Sequence, residues 1–200
     1  AIEIDRNLYS KLSEKFKGAS RLSLVCCDFM SWNLPRTPYK VFANIPFNKT
    51  TDIIRKLTGS SNPPEEAWLV IEKGAAKRFM GRPSETIHSL SLKPFFDCEV
   101  KYYFRREDFH PAPSVDAVFF HLKKKAVPDI SPQDRYSFNR FVVSCLSRPD
   151  GIFAVLTKKQ VSTALKMAGM PGDIPRSGEM QYIQWLCLFR CYMKYGKRTK

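Results

Sequence analysis

An asparagine followed by an apolar residue, a proline and an aromatic ring is the grouping in this chain with the clearest chemical use. It stands at Asn44-Ile45-Pro46-Phe47. The Asn44 side chain offers a carbonyl oxygen, and Pro46 restricts the backbone so that the Ile45 carbonyl is held beside it. Two acceptors at one point suit a planar –NH2 group, and Phe47 supplies a face on which a flat ring can stack. The exocyclic amine of a nucleobase has that shape. An apolar run, Tyr39-Lys40-Val41-Phe42-Ala43, precedes the motif and reads as a short buried strand. Thr50-Thr51-Asp52, cap-forming types, precede the helical run Ile53-Ile54-Arg55-Lys56-Leu57. Strand, rigid turn and helix put Asn44 at the carboxyl end of a strand, where open α/β sheets bind their ligands.

Asn44-Ile45-Pro46-Phe47 followed by Thr50-Thr51-Asp52-Ile53-Ile54-Arg55-Lys56 resembles the signature of rRNA adenine-N6 methyltransferases. The likeness is greatest to the erythromycin-resistance (Erm-type) enzymes, and smaller to the small-subunit rRNA dimethyladenosine transferases. Two further segments carry it. Glu72-Lys73-Gly74-Ala75-Ala76-Lys77-Arg78-Phe79 matches an Erm-type stretch, and Phe109-His110-Pro111-Ala112-Pro113-Ser114-Val115 resembles the family's F-x-P-x-P-x-V loop. Many relatives have tyrosine where this chain has Phe47, which keeps the stacking face and drops a hydroxyl. Some also have lysines in the proline loop, where this chain has Ala112 and Ser114.

The resemblance implies the cofactor S-adenosylmethionine and assigns roles to residues. Glu3, ending a strand, would accept the ribose hydroxyls, and Asp28 the amino group of the cofactor adenine, with Phe29 packing near that ring. Asn44 would touch both cofactor and target. Asn44, Ile45, Pro46 and Phe47 would form the catalytic turn, and Phe109 would pack against the flipped base or the methyl-bearing cation. Arg55, Lys56, Lys77, Arg78 and Arg82 are the candidate phosphate contacts. The target adenine must leave its stack to reach such a site, so base flipping is implied. Taken by themselves, acids at strand ends are common turn formers and surface groups, and basic residues on helices are usually solvated.

The elements that must position these residues follow from periodicity. Ala1–Asp5 reads as a strand, and about Arg6 to Lys17 as an amphipathic helix with Leu8, Leu12 and Phe16 on one side. Leu22–Cys26 and Ala67–Glu72 read as further strands. Strands alternating with helices predict a parallel, doubly wound sheet. Asp97–Phe104 and Asp116–Leu122 are joined by a proline-bearing loop without a helix, so an antiparallel pair at one edge is expected. After Lys123-Lys124-Lys125 the character changes to three helical patterns: Phe138 to Cys145, Ile152 to Ala168, and Met180 to Met193. The predicted fold is α/β, a Rossmann-like methyltransferase core over residues 1–125, with a small all-α C-terminal domain over 126–200 that binds RNA.

Composition narrows the partner class. The net charge of +14 is spread along the chain: residues 1–125 hold 21 basic and 14 acidic residues, and 126–200 hold 12 and 5, so each part carries +7. The shorter part is the more densely basic, and a polyanion such as RNA is the matching partner. The six cysteines form no C-x-x-C pair and lie mostly in apolar runs, which fits reduced thiols and no metal site. No signal peptide or membrane-spanning apolar run is present, so no membrane partner and a cytoplasmic location are expected.

No G-x-G-x-x-G occurs among the nine glycines, although dinucleotide-type folds hold the cofactor at such a turn after their first strand. The resemblance puts that turn before the equivalent of Ala1–Asp5, so the core is expected to be N-terminally truncated, lacking its first strand, glycine turn and first helix. Exposed strand edges then invite pairing, and a strand-borrowing dimer is expected. The implied reaction is methyl transfer to N6 of an adenosine in 23S rRNA, giving macrolide-type resistance. The alternatives are a small-subunit rRNA adenine dimethyltransferase and an inactive RNA-binding fragment. Lacking the glycine turn, this chain is expected to bind S-adenosylmethionine weakly; tight binding in a calorimetric titration would contradict that.

Overall fold

The computed structural model describes residues 1–148, 150–170 and 172–196. Its central strand is β4 (Glu66–Glu72), in which Ala67, Leu69 and Ile71 are fully buried and alternate with half-buried neighbours. β4 pairs in parallel with β3 (Lys40–Asn44) and antiparallel with β6 (Ala117–Lys124), and β6 pairs antiparallel with β5 (Phe96–Tyr103). The order is β3-β4-β6-β5, so the expected antiparallel pair does lie at one edge. Residues in register share a face. Ala67, Leu69 and Ile71 thus join Leu122, Phe120 and Val118 on the core side. That side meets buried residues of α2 (Thr50–Gly59), α3 (Lys73–Met80) and α4 (Ile87–Leu92).

The opposite face is aromatic. Phe119 meets Phe42 and Trp68 with ring centroids 5.6 and 5.3 Å apart, and Trp68 stacks on His121 at 3.8 Å. Buried His121 lies between two carboxylates, Nε2 3.1 Å from Glu66 and Nδ1 3.4 Å from Glu99. Lys40, 2.8 Å from Glu66, holds that carboxyl down at about 2. The apolar run at Tyr39–Ala43 is therefore not a buried strand. β3 is an edge whose Val41 and Ala43 pack inward, while Phe42 is 80% exposed on the aromatic face.

The N-terminal strands form a separate parallel pair, β1 (Ile2–Glu3) with β2 (Val25–Cys26), so the expected single sheet is two hydrogen-bonded sheets among the described residues. Asp5, read as the end of a strand, instead caps α1 (Arg6–Lys15): its Oδ1 accepts from Asn7 N at 2.8 Å and Leu8 N at 3.0 Å. No residue of α1 is buried, and the apolar side at Leu8, Leu12 and Phe16 lies open.

After β6 the chain is helical. α5 (Arg135–Ser147) buries Phe138, Phe141, Val142 and Cys145 as its spacing predicts. The pattern from Ile152 to Ala168 is not one helix. A 3-10 turn at Gly151–Ala154 precedes α6 (Lys158–Met167), because Thr157 and Gln160 satisfy each other's backbone N–H and start a new helix there. α7 (Tyr182–Tyr195) buries Trp185, Leu186, Leu188 and Phe189. These helices lean on the sheet layer through Arg135, whose guanidinium stacks 3.8 Å from the Phe95 ring centroid and donates to the Thr58 carbonyl at 2.6 Å. Tyr182 donates to Asp129 at 2.6 Å, which also pairs with Lys125 at 2.6 Å. One apolar cluster runs from Ile45 to Phe189 across both parts. All six cysteines are free, and burial pushes the Cys98 and Cys145 thiols up to about 11 and about 12. Among the described residues no helix is long and apolar enough to cross a membrane.

Candidate active site

β3 ends at Asn44, in register with Val70, and the Ile45 N–H makes the last contact, 3.4 Å from the Val70 carbonyl. Ile45 is buried and anchors the turn from below. Pro46 follows in an extended conformation, φ −59° and ψ 126°, and opens a 3-10 turn, Phe47–Lys49, closed by Lys49 N–H on the Pro46 carbonyl at 2.9 Å. The Thr50 hydroxyl donates to the Phe47 carbonyl at 3.0 Å. The three cap-forming residues therefore do not cap α2. Lys49 precedes the helix without a side-chain bond, and the 3-10 turn leads in, with Asp52 in the first helical turn where a negative charge is favoured.

This geometry leaves the two expected acceptors open. Asn44 is exposed, Phe47 is half-buried, and among the described residues no donor meets either the Asn44 side chain or the Ile45 carbonyl. Asn44 also lies on the aromatic face, since it is in register with Val70, and Val70 with Phe119. Phe109, after a 3-10 turn at Arg106–Asp108, joins that face indirectly: its ring is 5.3 Å from Phe104, which is 6.4 Å from Phe119.

The acids stand at the other sheet. Glu3 ends β1, and its Oε1 accepts from Asp5 N at 2.8 Å. Asp28 lies two residues beyond β2, and its Oδ1 accepts from Met30 N at 2.8 Å. Each keeps its second oxygen without a partner among the described residues, and that oxygen can accept two hydrogen bonds. These acceptors fit a ligand that carries ribose hydroxyls and an adenine amine as donors. Two cavities, of about 680 and about 450 Å3, lie elsewhere, and neither is lined by Glu3, Asp28 or Asn44.

The basic candidates separate. Arg55, Lys77 and Arg78 are exposed, and Arg78 donates to the Thr51 hydroxyl at 3.2 Å, tying α3 to the first turn of α2. His88 titrates below its ordinary value because it is partly buried and both Arg78 and Arg55 act on it, which places the two guanidiniums on one patch. Arg82 instead faces the larger cavity, beside Glu85, Lys93 and Tyr182. Lys56 does not face solvent as an RNA contact. Its ammonium donates to the carbonyls of Phe29, Met30 and Trp32 at 2.6, 2.8 and 2.5 Å and sits 5.0 Å from the Phe29 ring centroid. Three bonds exhaust a lysine's donors, so none is left for a phosphate. The spacing of Lys56 on an amphipathic helix carries no signal for this, because its partners lie 24 to 27 residues upstream.

The fold is that of an α/β methyltransferase: it superposes on the crystal structure of the 23S rRNA methyltransferase ErmE with a TM-score of 0.84, over 96% of this chain and 80% of that one, at 24% identity. The profile of the family Ribosomal RNA adenine dimethylase matches residues 1–182, and the chain belongs to that family, whose members are S-adenosylmethionine-dependent enzymes. It is 30% identical to an rRNA adenine N-6-methyltransferase of Limosilactobacillus reuteri over 200 residues, 98% of this chain and 77% of the relative. It is also 34% identical to the ribosomal RNA small subunit methyltransferase A of Nostoc punctiforme over 157 residues, 69% of this chain and 55% of the relative.

Lys56→Met keeps the length of the side chain and removes all three charged hydrogen bonds. It is expected to destabilise the protein by about 2 kcal/mol and to speed amide exchange around Met30. Both are read by denaturant titration and hydrogen exchange, and an unchanged midpoint would rule out the tie.

Proposed function

We propose that the chain transfers methyl groups from S-adenosylmethionine to N6 of an adenosine in 23S rRNA, in the cytoplasm, and thereby protects ribosomes from macrolide-type antibiotics. The observation that carries this reading is the pair of unpartnered acceptors, the Asn44 side chain and the Ile45 carbonyl, held at the end of β3 by Pro46. Support for the 23S target comes from the Erm-type segments at 44–56 and 72–79, and the match to the Limosilactobacillus reuteri enzyme along nearly the whole chain supports rRNA adenine N6 as the methylated group. Residues 1–125 would form the catalytic core and 126–200 a helical RNA-binding domain.

When bound, S-adenosylmethionine supplies an electrophilic methyl group. Glu3 accepts its ribose hydroxyls, Asp28 its adenine amine, and Phe29 packs beside that ring. Asn44 and Ile45 accept the two N6 hydrogens of the extruded adenine, which turns the nitrogen lone pair out of conjugation and aims it. Phe47 stacks on the base and Phe109 closes the aromatic side. N6 would take the methyl group as the carbon–sulfur bond breaks, the neutral thioether would leave, and the proton on the alkylated nitrogen would pass to water. Catalysis then rests on positioning and electrostatics, with no side chain needed as a base. Arg55, Lys77 and Arg78 contact phosphates.

Asn44→Ala is expected to lower methyl transfer to rRNA at least about 100-fold while leaving RNA affinity unchanged. Tritiated-methyl incorporation and filter binding measure the two, and retained turnover would sink the mechanism. Mapping the label to 16S rather than 23S rRNA would replace the target by the small-subunit one. Through the second edge of β3, unpaired among the described residues, we also propose self-association, with Phe42 at the contact. Light scattering is expected to give the mass of a dimer that Phe42→Lys reverts to a monomer; a monomeric wild type would refute this.

A further inference from the structure

The outward face of α5 carries a second concave site that the catalytic machinery does not use. Tyr136, Arg140, Val143 and Ser147 recur at helical spacing along it and are exposed, Tyr136 at 72%. They border a cavity of about 450 Å3, whose lining also includes Asn139, Ser144, Arg148 and Tyr192. That volume lies within the range of small-molecule pockets.

Its chemistry has one sign and one shape. Arg140 and Arg148 are the charged groups of the lining, which holds no carboxylate, and among the described residues neither guanidinium is paired with an acid. Eight residues apart, they are separated by about 12 Å along a helix. Arg140 lies 5.8 Å from the Tyr136 ring centroid, so cation and ring are presented together. Among the described residues the Asn139 Oδ1 is buried without a hydrogen-bond partner, an uncommon state for an amide oxygen. The floor is rigid: Phe141 is buried and its ring is 5.1 Å from Tyr192.

We propose that this pocket takes an unpaired nucleotide of the ribosomal RNA substrate, outside the site of methylation. The base stacks on Tyr136, and Arg140 and Arg148 bind the flanking phosphates. Bases offer π-faces to aromatic side chains and phosphates pair with guanidinium groups, which is how single strands are held without reading a full sequence. The proposal rests on the reading of the chain as an rRNA methyltransferase and gives its basic helical part a defined contact.

The test is fluorescence anisotropy of the whole chain with a fluorescein-labelled, adenine-rich, 15-nucleotide single-stranded RNA. Tyr136→Ala is expected to weaken binding about tenfold, with Tyr136→Phe retaining it. Removing both Arg140 and Arg148 as alanines is expected to lower the slope of log affinity against log salt by about 1.4. Thermal melts check that the variants stay folded, which the exposure of all three side chains favours. Binding by Tyr136→Ala within twofold of wild type, an unchanged salt slope, or no RNA binding by the wild type each overturns the pocket. Methyl transfer is measured on the same preparations. Its absence alongside Tyr136-dependent binding counts against the enzyme reading alone, and its presence with Tyr136-indifferent binding counts against the pocket alone.

Discussion

The parallel pairing of β3 with β4 is the constraint on which the site depends. Five residue pairs in register, from Lys40 with Glu66 to Asn44 with Val70, fix the point at which the chain must leave the sheet. The Ile45 N–H still reaches the Val70 carbonyl, and Pro46 has no N–H to continue. The backbone therefore turns at one residue, and among the described residues no donor meets the Asn44 amide oxygen or the Ile45 carbonyl. A one-residue slip would carry Asn44 to the core face and bury the amide beside Leu69 and Ile71. The alternation of buried Ala67, Leu69 and Ile71 resists that slip, so the core of the sheet and the geometry of the turn are one problem.

A second tie joins the turn's helix to the N-terminal strands. The β1–β2 pair contributes only two residues per strand and carries a helix with no buried residue, so little apolar burial holds it. Lys56 offsets this by gathering three carbonyls of the segment after β2 under one ammonium, directly following Asp28. The helix that follows the Asn44–Phe47 turn thus also positions Asp28, two residues beyond β2. Arg78 extends the link, bonding α3 to Thr51 at the start of the same helix. Positioning by charged side chains has a consequence for reading function from charge. Of the basic residues near the strand ends, one is spent on structure and another faces a separate cavity.

Towards the C-terminus, apolar packing and charge divide the surface of one helix. α5 gives Phe138, Phe141, Val142 and Cys145 to the core and keeps Tyr136 and Arg140 outside, with Arg148 directly after its last residue. The same cluster that fixes the sheet layer continues through these residues to Trp185 and Phe189, so the basic face is carried on a rigid support. A basic surface on a rigid support suits a polyanion, because less side-chain and backbone freedom has to be lost on binding.

Local chemistry was legible in the linear chain. Asn-Ile-Pro-Phe, the alternation of the central strand, the edge pair joined without a helix and the spacing of α5 and α7 each follow from two- or four-residue patterns, and each is found in the structure. Residue type also determined that the turn carries two potential acceptors, an amide oxygen and the carbonyl that precedes a proline. What only the tertiary structure decided are the long-range partnerships. The lysine 24 to 27 residues from its carbonyls, the exposure of Phe42 on an edge, the separation of β1 and β2 from the larger sheet and the division of Ile152–Ala168 at Thr157 depend on what stands opposite in space. Periodicity reports which side of an element is apolar; whether another element covers that side is set by packing, which a single strand or helix does not encode.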